Sequence, residues 1–168
     1  MIILGIDPGL ATVGFAVIKK PTDNSLKPKV IDFGCITTES FTPTGERLKK
    51  IHDEINKLIK KHRPALISIE SIYFFKNLKT AMPVSQAKGA ILLTCAQKNI
   101  PVLEFTPLQM KMAIAGYGRA EKKQVQEMMK SLFDFNNLDL KEKNRKRDDA
   151  TDALGIAFCA SIKRLDLC

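Results

Sequence analysis

Cysteine is sparse and poorly placed for metal or disulfide chemistry. The four thiols, Cys35, Cys95, Cys159 and Cys168, are scattered through 168 residues with no C-x-x-C pair. Neither zinc-type spacing nor a disulfide framework fits, and reduced thiols in a cytoplasmic compartment are expected. Only two histidines occur, His52 and His62. Both are expected at the surface of a first helix. Long apolar runs are missing too. The N-terminal one, Ile2 to Ile6, stops at Asp7-Pro8, far short of the ~20 residues a membrane span needs. No internal repeat, low-complexity tract or dividing linker appears, so one domain over residues 1–168 is expected.

Basic charge is plentiful. Lys and Arg number 27 against 18 Asp and Glu, a net charge of +9, and 45% of the residues are hydrophobic. A chain of this size and composition can bury a sizeable core. The cationic excess favours an acidic partner, and nucleic acid is the commonest one. A merely soluble basic protein is the competing reading of charge alone.

The first third reads as three strands: Met1 to Ile6, Val13 to Ile18 and Val30 to Thr37, with a polar turn over Pro21 to Lys29. The period then changes. Leu48, Ile51, Ile55, Leu58 and Ile59 predict a helix between Gly45 and His62, ended by Pro64. Strand-type Ala65 to Glu70 follows, then a helix from about Pro83 to Gln97, where proline would occupy the first turn. A strand over Pro101 to Thr106 and helices near Pro107–Ile114, Glu121–Phe133 and Asp148–Arg164 complete the reading. This order predicts an α/β fold: a mixed five-stranded sheet flanked by helices. The first strand would be central, with Ala65 to Glu70 parallel beside it.

Acids stand where they are locally out of place. Asp7 and Glu70 each end an apolar strand, and Asp148, Asp149 and Asp152 open a small-residue helix. A carboxylate at the end of a buried strand is costly unless something pairs with it. The topology would set Asp7 and Glu70 on one carboxyl edge, where open α/β sheets place their sites. Ala150, Ala153 and Ala157 would let the last helix approach closely. Clustered carboxylates without His or Cys suit Mg²⁺, and two such ions ~4 Å apart can clamp a phosphodiester. Each acid has a plainer reading: Asp148 or Asp149 as a helix cap, Asp7 as a turn residue before Pro-Gly. Glu70 has the weakest one.

These pieces resemble the RuvC-type Holliday junction resolvases of the ribonuclease H-like superfamily. The resemblance rests on Gly5-Ile6-Asp7-Pro8-Gly9 with Gly14, on Ile69-Glu70 with Lys76-Asn77, and on Gln86-Ala87-Lys88-Gly89. It continues through Ala120-Glu121-Lys122-Lys123-Gln124-Val125-Gln126 and Asp149-Ala150-Thr151-Asp152-Ala153-Leu154. The ordered set spans almost the whole chain. It implies a ribonuclease H-like fold in which Asp7, Glu70, Asp149 and Asp152 hold two Mg²⁺, with Mn²⁺ as a substitute. It implies a homodimer that nicks a four-way DNA junction symmetrically, leaves 5′-phosphate ends and works with the RuvA and RuvB branch-migration proteins. It also marks Lys111 and Lys122 as active-site lysines and Tyr73 as an aromatic near the junction centre.

DNA contacts are expected from Tyr73, Lys76, Asn77 and Lys79, where aromatics interleave with lysines. One of Phe74 and Phe75 is expected to be buried. The loop from Gly116 to Lys122 opens a helix whose N-terminus suits a phosphate, which adds Arg119 and Lys122. Lys88 stands where the family commonly has Arg, and Arg119 where it often has a small polar residue. The loop Lys141 to Arg147 is longer and more basic than the family's, so Lys143, Arg145 and Lys146 are further candidates, a solvated surface run being the close competitor. The rival functions are a related nuclease acting on RNA or other DNA structures, a non-catalytic junction binder, and an actin-like ATPase domain. The last needs two such domains around a nucleotide.

Overall fold

The computed structural model describes residues 1–23, 26–71, 78–134 and 147–163. The chain runs β1 (Ile2–Asp7), β2 (Thr12–Lys19), β3 (Lys29–Thr37), α1 (Thr44–His62), β4 (Leu66–Glu70), α2 (Leu78–Gln97), β5 (Val102–Phe105), α3 (Pro107–Ala115), α4 (Lys122–Leu132) and α5 (Arg147–Ile162). The five strands form one sheet in the order β3-β2-β1-β4-β5. β1 pairs antiparallel with β2 and parallel with β4, so the expected central strand and mixed sheet are both present.

Side chains alternate across the sheet with a period of two. Leu4, Ile6, Val17, Ile67 and Ile69 pack on one side with Ile51, Ile55 and Ile59 of α1 and Ala87, Ile91 and Cys95 of α2. The apolar α1 stripe is the one its spacing predicts. That helix closes where Arg63 turns left-handed at φ 48° and its N–H donates to Ile59 O at 2.8 Å. On the other side, Ile3, Ala16, Ile18 and Leu66 pack with Met110 and Ile114 of α3, Val125 and Met129 of α4, and the apolar residues of α5. Burial pushes the Cys95 thiol up to about 11 and the Cys159 thiol to about 12, so both stay protonated near neutral pH.

The approach of α5 to the sheet is unusually close. A Cβ on Gly5 would collide with the Ala153 carbonyl oxygen and lie 2.8 Å from Ala157 Cβ. A Cβ on Gly14 would collide with the Asp149 carbonyl group. Glycines on β1 and β2, facing alanines on the helix, let backbone rest against backbone. Farther along α5, Gly155 admits Met110 of α3.

One boundary differs from expectation. Helix α2 begins at Leu78, so Pro83 lies inside it rather than in its first turn. Proline there removes one backbone hydrogen bond, and the packed residues Ala87, Ile91 and Cys95 hold the helix beyond it. Among the described residues no helix is long and apolar enough to cross a membrane.

Gly14→Ala is expected to lower stability by about 1–3 kcal/mol, because the facing atoms are backbone and cannot rotate aside. Gly45→Ala is the control: a Cβ added there would meet nothing within 4 Å, and loss of chain entropy on replacing a helical glycine stabilises by about 0.5–1 kcal/mol. Urea unfolding of the two variants checks the contrast.

Candidate active site

The sheet register brings the first two acids together. Ile6 of β1 pairs in parallel with Ile69 of β4, so Asp7 and Glu70 are the next residues along adjacent strands. By the period of two, Asp7 shares a face with Ile3 and Gly5, and Glu70 with Leu66 and Ser68. That is the face α5 covers. The chain beyond β1 is tied down by Thr38, whose hydroxyl donates to Leu10 O at 2.6 Å and accepts from Arg47 Nε at 2.8 Å. Beyond β4, the Ser71 N–H donates to Phe105 O at 2.8 Å.

The N-terminal turns of α5 carry Asp149 and Asp152 to the same place. Gly14 pairs with Asp7 across β1 and β2, and Asp149 packs its backbone on Gly14. The electrostatic consequence appears at Asp7, which rises from 3.8 to about 9. Burial is the largest cause, followed by the side-chain hydrogen bond with Glu70 and then the charges of Glu70, Asp152 and Asp149. At neutral pH, without cations, Asp7 therefore keeps a proton and shares it with Glu70. The four acids occupy one electrostatic neighbourhood but are not a closed cage. Among the described residues no group of three or more His, Cys, Asp or Glu is gathered closely enough to hold a metal. Their donor chemistry, oxygen-only and highly charged, still fits a hard divalent cation better than any other group.

The candidate cations fare differently. Lys122, in the first turn of α4, sits with Nζ 3.8 Å from Asp152 Oδ2, so it adjoins the acids as expected. Lys111 is half-buried on α3, with no ion pair to the acids among the described residues. Lys88 is not a free phosphate contact here. Its side chain is only 13% exposed, and its Nζ binds Glu104 Oε2 at 2.6 Å. The Ser71 hydroxyl donates to that same oxygen at 3.3 Å, so Lys88 and Glu104 brace the residue after Glu70. Arg119 is exposed in the α3–α4 loop.

The α4 N-terminus is not the open phosphate cradle the sequence suggested. Glu121 caps it: its carboxylate accepts from the Gln124 N–H, and Gln124 Oε1 accepts from the Glu121 N–H at 3.0 Å. The Tyr117 hydroxyl donates to that same Gln124 oxygen at 2.7 Å. A carboxylate already meets the Gln124 N–H and lies at the positive end of the dipole. The histidines are not surface residues either. His52 Nδ1 is hydrogen-bonded with Thr94 Oγ1 at 2.8 Å, between α1 and α2, and the largely buried His62 lies 3.1 Å from Asp32 Oδ2. Their partners sit across the fold and left no local mark in the sequence. The same is true of the Glu104 brace and the Glu121 cap, although the Glu-x-x-Gln spacing could have revealed the cap. Tyr73, Phe74, Phe75, Lys76, Asn77, Lys143, Arg145, Lys146 and the side chains of Lys79 and Asp148 lie outside the described residues.

A mixed sheet in this order, covered by an acid-bearing helix at its carboxyl edge, is the architecture of a ribonuclease H-like nuclease. The family model described as "Crossover junction endodeoxyribonuclease RuvC" matches residues 3–160. The chain belongs to this RuvC family. It is 46% identical over 159 residues to a crossover junction endodeoxyribonuclease RuvC of Halothermothrix orenii, covering 95% of this chain and 91% of the relative. It is 45% identical to that of Finegoldia magna, covering 95% and 92%. Thermus thermophilus RuvC, solved in complex with a Holliday junction substrate, superimposes with a TM-score of 0.82 at 31% identity, covering 95% of this chain and 92% of that one.

The Asp7 shift has a pH signature. Unfolding returns its carboxyl to 3.8, so the folded state binds the extra proton between 3.8 and about 9. The stability this supplies is complete below the lower value and is lost as pH rises through the upper one. In denaturant titrations without divalent ions, the protein is expected to weaken across that window. Asp7→Asn should show a flatter profile and greater stability at the alkaline end.

Proposed function

We propose that this protein is a divalent-cation-dependent endonuclease that resolves four-way DNA junctions by paired, symmetric nicks, in recombination and DNA repair in the cytoplasm. The observation that carries this reading is the convergence of Asp7 and Glu70 on adjacent strands with Asp149 and Asp152 on the helix packed against Gly5 and Gly14, which the raised Asp7 supports. Four acids that a +9 chain holds together at one edge would be relieved by cations and turned toward a polyanion. The family's junction-cleaving members supply the substrate class.

Asp7, Glu70, Asp149 and Asp152 would hold two Mg²⁺, or Mn²⁺ in their place. Bound there, the ions would supply an activated water and charge neutralisation at the leaving oxygen. The protein's own part is to release the proton shared by Asp7 and Glu70 and to orient the carboxylates. Lys122, beside Asp152, would face the phosphate's developing negative charge, and Lys111 is the second lysine assigned to that role. DNA contacts are proposed for Tyr73, Lys76, Asn77, Lys79 and Arg119, and for Lys143, Arg145 and Lys146 before α5. Lys88 would join them only by leaving Glu104. A single domain, acting as a dimer alongside RuvA and RuvB, completes the proposal.

A two-fold junction calls for a two-fold enzyme. Helix α2 offers the surface: Met82, Gln86, Gly89 and Leu93 form an exposed, uncharged stripe at helical spacing. Nothing lies within 4 Å of a Cβ built on Gly89, so a second helix could approach closely.

Two outcomes test these readings. Purified protein with Mg²⁺ should nick a four-way junction at symmetric positions, and Asp7→Asn should bind the junction while cutting it at least about 100-fold more slowly, as expected when a metal ligand or its support is lost. Equal cutting of linear duplex or of an RNA–DNA hybrid would overturn the junction assignment. Leu93→Glu should shift the protein from dimer to monomer in sedimentation and uncouple the paired nicks into single ones.

A further inference from the structure

A second basic feature lies away from the acids. A groove of about 430 Å³ is lined by Lys20, Pro21, Leu26, Lys27 and Pro28 of the β2–β3 connection, with Phe158 and Ile162 of α5 opposite. Ser131 and Leu132 at the end of α4, Ser161 of α5 and Lys163 just after it complete the lining. A smaller hollow continues from it along Lys19, Lys29 and Asp134. The groove sits at the end of α5 opposite Asp149 and Asp152. Ten residues of helix separate Asp152 from Ile162, which is roughly 15 Å of rise.

Its chemistry is mixed. Leu26 and Ile162 are 60% and 53% exposed, two large apolar side chains left open to water on one groove. Five lysines, Lys19, Lys20, Lys27, Lys29 and Lys163, surround them, against one acid, Asp134, among the described lining residues. The α4 and α5 helices both end here, so their carbonyl ends lend some negative potential, which the lysines outnumber. The Lys163 ammonium also reaches the Phe105 ring, 5.8 Å from its centroid. A phosphate backbone would match the lysines but leave the leucine and isoleucine uncovered. An acidic segment with apolar side chains would satisfy both.

We infer that this groove docks a partner protein through a short acidic peptide segment carrying leucine or phenylalanine. Bound there, the partner would leave the acid-bearing edge clear, so it and DNA could be held at the same time.

The experiment uses the full chain and a fluorescein-labelled synthetic peptide of alternating glutamate and leucine, followed by anisotropy. The peptide should bind the unmodified protein, and Lys20→Glu combined with Lys27→Glu should weaken it by about tenfold. Leu26→Ser, a change at an exposed side chain, should also weaken it and guards against a charge-reversed variant that fails to fold. A matched peptide with serine for leucine should bind more weakly, and saturating junction DNA should leave peptide affinity unchanged. If both variants bind the peptide as tightly as the unmodified protein, the inference is overturned. It is equally overturned if duplex DNA displaces the peptide in a manner that depends on Lys20 and Lys27, because the groove would then belong to nucleic acid.

Discussion

The site depends on one close contact, the approach of α5 to β1 and β2. Gly5 and Gly14 have no side chain to hold the helix off, and Ala153 and Ala157 add little bulk from the other side. A helix normally packs on a sheet across a layer of larger side chains. Here the main chain of Asp149 and Ala153 rests on the glycines, so carboxylates on the first turns of α5 come within electrostatic reach of Asp7. A methyl group at either glycine would push the helix outward and relax the crowding that distinguishes this edge of the sheet.

That crowding makes sense only in a molecule with compensating charge. Burial first, then the hydrogen bond with Glu70 and the charges of the neighbouring acids, keep a proton on Asp7, while the chain as a whole carries +9. Folding thus stores an unfavourable local arrangement inside a globally cationic surface. Lys122 begins the compensation within the site, and the Lys88–Glu104 pair commits a further lysine to holding the chain as it leaves Glu70. A lysine that looks like a phosphate ligand in the sequence is here part of the scaffold. The basic residues do not all serve one purpose, and the mixed groove at the far end of α5 points the same way.

Much of the fold was legible because its signals are local. Short apolar runs marked β1 and β4, loose alternation marked β2 and a richness in β-formers marked β3; the spacing of Ile51, Ile55 and Ile59 marked α1, and the small residues of α5 marked close packing. The acids at Asp7 and Glu70 were legible because each ends an apolar strand. The start of α2 was misread because proline is favoured in a helix's first turn, whereas here the helix begins at Leu78 and runs through Pro83. The α4 N-terminus was misread because a free helix end invites an anion, and the anion proved to be the chain's own Glu121.

The sequence by itself determined which residues alternate, which helix face is apolar and which acids are out of place, because those properties are set by neighbours within a few positions. Only the tertiary structure decided that Ile6 lies opposite Ile69, that Asp149 rests on Gly14, and that Lys88 turns to Glu104 while Lys122 turns to Asp152. Those outcomes join segments separated by tens of residues. They follow from strand register and from how closely a helix can approach a sheet, which no local pattern encodes.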